Sequence, residues 1–437
     1  MTIPTPQPLD ALAAALRSGE TSVTANTEAL IERIEVENPR ILALLPEHDR
    51  VGRLRAEAQA IEARFPDAAT RPALYGVPVA IKDIINVDGL TTRAGTAIPS
   101  ELFAGPEATC VTRLREAGAL IVGKAVTTEF AYFEPGPTRN PHDVGHTPGG
   151  SSSGSAAAVA AGLATLALGS QTVGSVIRPA AFCGVVGFKP SYGRIPTDGV
   201  LYYSPSVDHV GAFAPDAAGV ALGASVLLDG WRHDEYEASA GQLPIVGVPD
   251  GPYIAQADEV GLAAFEQQLA TLVAAGREVQ RIPALDDIEV LTKRHRDIAT
   301  AEFADVHDAW FTQYGALYRP RSALLVEAGR TTSDDDREAG RRSIAELEAR
   351  LRSLMDERGI DVWASPPAPG PAPFGLGSTG NPAMNLPWTH AGMPAVTLPA
   401  GASDGLPLGL QLSARLGADE QLLAWAEAVE PLLRASA

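Results

Sequence analysis

Residues 149–178, GGSSSGSAAAVAAGLATLALGSQTVGSVIR, constrain this chain more than any other stretch. They hold two small-residue bends, each with a serine at its turn, on either side of an apolar, Ala-rich run. The first bend, Gly149-Gly150-Ser151-Ser152-Ser153-Gly154-Ser155, leads into Ala156-Ala157-Ala158-Val159-Ala160-Ala161, which is good helix-forming material. Its glycines allow backbone angles that other residues resist, and such a loop can aim several N–H groups at one point. The second bend, Gln171-Thr172-Val173-Gly174-Ser175, follows residues 163–168, an apolar run that reads as a buried strand. Two serines therefore stand at the ends of core elements, held by packing, which is a catalytic geometry in outline. The competing reading is loop architecture, in which small hydroxyls satisfy turn backbone.

Length and charge bound the rest. The 437 residues are 45 % hydrophobic, enough for a sizeable core in one large α/β domain or two smaller ones. A net charge of −19 disfavours nucleic acid and anionic membrane as partners and suits action on neutral or cationic small molecules, although solubility alone accounts for it equally well. Two cysteines, Cys110 and Cys183, imply no disulfide framework, so a reduced, cytoplasmic setting is the default. The N-terminus lacks the basic and apolar blocks of a secretory signal, and no run reaches the ~20 apolar residues of a membrane span. Lysine is scarce, occurring only at 82, 124, 189 and 293, so one inside an apolar stretch stands out.

Periodicity predicts helices over 9–16, 24–36 (stopped by Pro39) and 50–65, making residues 1–70 helical. Residues 75–85 read as a buried strand with Lys82 near its end. A helix over 109–117 and a strand over 119–122 follow, then an aromatic, turn-rich loop over 128–148. Residues 182–190 are apolar and Gly-broken, and 192–211 read as irregular. Between 216 and 380 the pattern gives strands at 243–248 and 279–282, a helix over 260–275, long helices over 286–313 and 335–358, and a strand starting at 361 that becomes a Pro/Gly loop. Strands at 394–399 and 408–412 and a helix over 419–433 complete residues 381–437. With no repeat or low-complexity linker, the expectation is a single α/β domain with helices on both faces.

A serine nucleophile needs a base within hydrogen-bond reach. Eight histidines (48, 142, 146, 209, 233, 295, 307, 390) are scattered, none in a setting typical of a triad, and no Gly-x-Ser-x-Gly elbow surrounds Ser175. Lys82 is the other candidate: at the end of an apolar strand, desolvation lowers its pKa, and a neutral amine accepts a proton. Serine with lysine is a sound catalytic pair. Taken alone, however, a structural ion pair with Asp83 or a remote carboxylate is the stronger reading of Lys82. Cys183 reads as a small buried apolar residue. A rival function would use GGSSSGS as the phosphate loop of a nucleotide-binding kinase, but neither GxxxxGK[ST] nor GxGxxG is present, and the second bend would go unused.

Pro78-Val79-Ala80-Ile81-Lys82-Asp83, the first serine bend with Ala156 and Ala157, Gly174-Ser175-Val176-Ile177-Arg178-Pro179-Ala180 and Gly187-Phe188-Lys189-Pro190 together resemble the amidase signature family. The resemblance is tight over 70–215, with weaker echoes at 26–40, 392–401 and 405–412. It implies a central mixed β-sheet covered by helices on both faces, with 71–215 as the signature core and 216–380 as a variable region covering the substrate. It implies Ser175 as nucleophile, Ser151 as a bridging serine preceded by a cis peptide bond, and Lys82 as base. The backbone N–H groups of Thr172, Val173, Gly174 and Ser175 would form the oxyanion hole, and no metal or cofactor is needed.

The second bend departs from the family, many of whose members have Asp-Thr-Gly-Gly-Ser-Ile-Arg there. Here Gln171 stands in place of the acid, Val173 in place of a glycine, and Arg178 lies one position later, so any Asp–Arg brace is altered. The resemblance also implies a small-molecule substrate: an aryl or alkyl amide, anilide or carbamate (a urethanase activity), with ester hydrolysis alongside. Tyr132, Phe133, Trp388 and His390, with Gly149 and Gly150, are the expected substrate contacts, though core packing explains each aromatic as well. A monomer or homodimer is expected. The alternative within the family is the glutaminase subunit of a tRNA-dependent amidotransferase, disfavoured by the acidic charge and by the lack of a Tyr-rich segment in 290–330.

Overall fold

The computed structural model describes residues 7–435. Ten strands form one sheet: β1 (Pro78–Lys82), β2 (Leu120–Ala125), β3 (Leu166–Gln171), β4 (Val186–Lys189), β5 (His209–Ala214), β6 (Val246–Asp250), β7 (Val279–Pro283), β8 (Val362–Ser365), β9 (Ala395–Ser403) and β10 (Leu406–Ala414). Their order across the sheet is β2-β1-β3-β5-β4-β9-β10-β8-β6-β7. The two wings, β2-β1-β3 and β8-β6-β7, are parallel. Between them the pairings through β5, β4, β9 and β10 are antiparallel. Parallel wings need helical crossovers, and these cover the sheet. Every residue of β1 to β5 is accordingly buried, whereas in the edge strand β7 only Ile282 is buried. The expected mixed sheet with its helical layers is what the chain forms.

The sheet register sets up the site. β1 and β3 are parallel neighbours with Ile81 opposite Leu168, so Lys82 at the end of β1 and the last residues of β3 lie together at the carboxyl edge, where ligands of α/β sheets bind. Each strand then hands over to a bend. The helix Ser153–Ala160 is clamped against the end of β2, because a Cβ on Gly154 would lie 2.3 Å from both the Ala43 carbonyl and the Val126 nitrogen. No other residue fits there.

Local details differ from the sequence reading for identifiable reasons. The apolar run at 163 does not start a strand: Gly162 adopts φ 68° and Leu163 N–H closes onto Ala158 O, so the helix exit uses up these residues and β3 begins at Leu166. The helix Val23–Ile41 continues past Pro39, which sits in its last turn. The stretch read as irregular contains the start of β5, a strand buried on both faces and therefore without alternation. The helices Ile177–Cys183, Ala217–Leu227 and Pro320–Arg330 were not legible.

Candidate active site

Lys82 is fully buried, and its Nζ donates to Ser151 Oγ at 2.7 Å and to Ser170 Oγ at 2.8 Å. The ion pair that competed for it does not form: Asp83 pairs instead with Lys124, 3.3 Å away on β2. Burial brings Lys82 down to about 7, with the Asp208 carboxylate opposing that fall. Close to neutral pH the amine is therefore present both with and without its proton. The peptide bond between Gly150 and Ser151 is cis. The remaining hydroxyls of this bend turn inward, Ser152 to Ser170 O, Ser153 to Gly149 O and Ser155 to Leu168 O. Two of them knit the loop to β3 and the third closes the loop on itself, rather than presenting a phosphate cradle.

The second bend faces the first across a narrow cleft with a free volume of about 20 Å³, lined by Ser151, Thr172, Val173, Gly174 and Ser175. Gln171 shapes this bend: its Oε1 accepts the N–H groups of Val176 and Ile177, at 2.8 and 3.0 Å, and its Nε2 donates to Thr389 Oγ1. Thr389 Oγ1 in turn donates to the Val173 carbonyl at 2.6 Å. With Val176 and Ile177 satisfied by Gln171, the N–H groups of Val173, Gly174 and Ser175 have no acceptor among the described residues. Val173 achieves this without a positive φ, so the missing glycine is no obstacle. Gly174 is required sterically, since a Cβ there would lie 2.2 Å from Asn385 Oδ1.

Asp208 lies behind the bend. Its carboxylate accepts Thr172 Oγ1 at 2.5 Å and the N–H groups of Tyr203 and Ser204 at 2.7 and 2.9 Å. Burial pushes Asp208 up to about 6 despite these donors. Tyr132 and Phe133 form one wall of the cleft. They follow Phe130 and Ala131, both at positive φ, and Phe130 is fixed by ring contacts with Phe103, Phe303, His307, Trp310 and Tyr318. Tyr132 also lines a wider groove of about 380 Å³ toward the helices Ile288–Tyr314 and Pro320–Arg330. A roomier cavity of about 600 Å³, between residues 45–56, 89–93 and Lys124, includes none of the serines.

A family model described as Amidase matches residues 25–423. The chain belongs to the amidase family. The A subunit of glutamyl-tRNA(Gln) amidotransferase from Koribacter versatilis (strain Ellin345) is 34 % identical over a 481-position alignment covering 98 % of each chain. A solved amidase structure is 32 % identical, covers 98 % of this chain and all of its own, and superposes with a TM-score of 0.86. The structure of 6-aminohexanoate cyclic dimer hydrolase with its substrate is 26 % identical over 98 % of this chain and 97 % of that one, with a TM-score of 0.84.

In this amidase-signature enzyme Lys82, Ser151, Ser175, Thr172, Val173, Gly174, Tyr132 and Phe133 converge on one place. Four expected substrate contacts do not reach it. Trp388 is buried against Trp363 and Tyr253 and donates to the Tyr253 hydroxyl. His390 is buried behind the bend, between His295 and Ser343. Gly149 (φ 82°) packs on Pro179, where a Cβ would come within 2.7 Å of the Pro179 Cα, and Gly150 packs on Thr379; both are scaffold. The sequence reading missed Ser170, Asp208 and Tyr203, and it noted Arg178 only as displaced. Ser170 was adjacent to the second bend, and its alternation with Gln171 on β3 was the available signal.

Proposed function

We propose that this amidase hydrolyses small amides through an acyl-enzyme, with Ser175 as nucleophile, Ser151 as relay and Lys82 as base. The observation that carries the reading is the buried Lys82 amine at about 7, hydrogen-bonded to a serine that shares a cleft with a second serine. As Ser175 Oγ bonds to the amide carbon, its proton passes to Ser151 and the Ser151 proton to the neutral amine. The developing oxyanion takes hydrogen bonds from the N–H groups of the 172–175 bend, about 3 kcal/mol per donor in such sites. The proton returns by the same relay to the leaving nitrogen as the C–N bond breaks. Water then adds to the acyl-enzyme along the reverse route, releasing the acid and Ser175.

A stand-alone hydrolase of small amides is supported by the likeness to solved amidases and to 6-aminohexanoate cyclic dimer hydrolase. Identity with amidotransferase A subunits across nearly the whole chain favours a second reading, glutamine as the amide and further subunits as partners. Both use the same acyl chemistry. A panel of amides, anilides, carbamates and esters that includes L-glutamine separates them: turnover by the purified chain without glutamine preference supports the first reading, and ammonia release from glutamine alone supports the second. In either case Ser175→Ala must abolish turnover and fluorophosphonate labelling while Ser204→Ala retains both; an active S175A enzyme sinks the mechanism.

A further inference from the structure

The cavity of about 600 Å³ is enclosed by residues 45–49, the start of the helix Arg50–Arg64, residues 89–93 and Lys124. That volume is typical of small-molecule sites. On a chain of net charge −19 its lining is basic, with Arg50, Arg53, Arg93 and Lys124 against two carboxylates, Glu47 and Asp49. Both acids are engaged: Glu47 pairs with Arg53 at 2.5 Å and Arg50 at 3.3 Å, and Asp49 Oδ1 caps the helix through Gly52 N–H. Arg53 also donates to the Ile121 and Val122 carbonyls, where β2 bulges so that Val79 and Ala80 pair with Ile121 and Gly123. Lys124 reaches Asp83, Thr92 Oγ1 and Ile85 O, which engages all three of its protons. The unengaged groups are donors. Arg50 Nε is buried and makes no hydrogen bond, although Nη2 of the same side chain holds Leu45 O. The Arg93 guanidinium has no hydrogen bond or ion pair among the described residues, while its backbone N–H is fixed by both Asp83 oxygens at 3.2 Å.

Guanidinium donors without an acceptor select phosphate or carboxylate oxygens, which they bind through paired N–H groups. We propose that this cavity is a second ligand site that takes a metabolite-sized polyanion bearing phosphate or carboxylate groups, anchored by Arg50 and Arg93. Two anchors set the valence. Arg50 belongs to the helix and Arg93 to the 89–93 loop, so a ligand that engages both needs two separate acceptor groups. A buried donor such as Arg50 Nε recovers its missing hydrogen bond when such a group arrives. Long-range attraction is not available on a chain this acidic, so recognition has to be local. The site is independent of the hydrolase reading, because its lining and that of the catalytic cleft share no residue. Neither serine of the proposed relay is present, so the ligand is held rather than cleaved. Its floor still touches the catalytic machinery: Lys124 and the Arg93 backbone both hold Asp83, the residue after Lys82. That is the position of an effector rather than of a substrate.

Isothermal titration calorimetry with pyrophosphate and with citrate, at ionic strength held constant with KCl, tests the site. The wild-type chain should bind at least one of the two saturably, with one molecule per chain. The tighter of the pair names phosphate or carboxylate as the recognised group. Arg93→Gln removes one anchor and keeps the backbone N–H, and it should weaken binding by about 10-fold or more. Ala56→Trp fills the cavity while retaining every charge, and it should weaken binding at least as much. Both substitutions fall at exposed positions, so the fold tolerates them. Because polyvalent anions also stabilise proteins by exclusion from their surfaces, saturable heat rather than a thermal shift is the measure. Binding of neither probe overturns the proposal. Binding undiminished in R93Q or in A56W places the anion elsewhere on the molecule and overturns it equally.

Discussion

Gln171 Nε2 donates to Thr389 Oγ1 at 2.9 Å, tying the end of β3 to the short helix Leu386–His390. The same carboxamide accepts from Val176 and Ile177, so one neutral side chain provides both a donor and an acceptor where an acid would only accept. Gln171→Leu leaves two buried N–H groups unsatisfied, at about 1–3 kcal/mol each. We expect a loss of roughly 2–6 kcal/mol in urea denaturation. Gln171→Glu retains the acceptor and loses only the donor, so it should fold while lowering kcat more than it changes KM. A Q171E enzyme with wild-type kcat would show that the Thr389 link does not position the bend.

The rate should titrate with Lys82. Its neutral amine is the reactive form, and burial brings it down to about 7, so kcat/KM should rise through an apparent pKa near 7 as pH increases. Lys82→Met should reduce kcat by about 10³-fold or more and remove that limb. A flat profile between pH 6 and 8 contradicts the assignment. The stability effect has its own sign: because the folded pKa lies below the unfolded value of 10.5, the unfolded chain binds more protons between about 7 and 10.5, and this lysine's penalty on folding is relieved as pH rises through that window.

How much of this was legible follows from where each residue's partners lie in the chain. Lys82, Ser151 and Ser175 sit in contiguous motifs whose small residues and strand ends already announce tight turns. Asp208 reaches Thr172 only because β5 pairs antiparallel with β3, placing Gln171 opposite His209. No local pattern encodes that pairing. Trp388 and His390 have the polarity and size of substrate contacts, but which side of the bend they occupy depends on the packing of Leu386–His390 against Ile288–Tyr314 and Asp334–Arg358, a relationship among segments far apart in sequence. Gln171 was visible as a departure, yet its double role required the position of Thr389.

Acid should destabilise the fold through the histidines behind the bend. His295 and His390 meet through their Nδ1 atoms at 3.1 Å, and His390 Nε2 bonds Ser343 Oγ. Burial brings His295 down to about 3, helped by His390, and His390 down to about 4. Their folded pKa values lie below the unfolded 6.5, so the unfolded chain binds more protons and stability falls as pH drops from about 6.5 toward 4. At pH 5 each contributes a loss of about 1–2 kcal/mol. Urea midpoints measured at pH 7 and pH 5 should differ accordingly, and a smaller difference is expected in His390→Asn, where one titrating group is gone.

Asp208 acts on both halves of the site, holding the Thr172 hydroxyl and raising the affinity of Lys82 for its proton. Asp208→Asn keeps the side-chain shape and removes the charge. Without that charge the Lys82 amine loses its proton more readily, so the acid limb of kcat/KM should move to lower pH, while kcat falls because Thr172 loses a charge-assisted bond worth about 1.5–3 kcal/mol. A purely structural role would lower activity at every pH alike and leave the limb in place. The shift of the limb, rather than the drop in rate, therefore decides whether this carboxylate tunes the base, and a limb that stays put or moves to higher pH rules that role out.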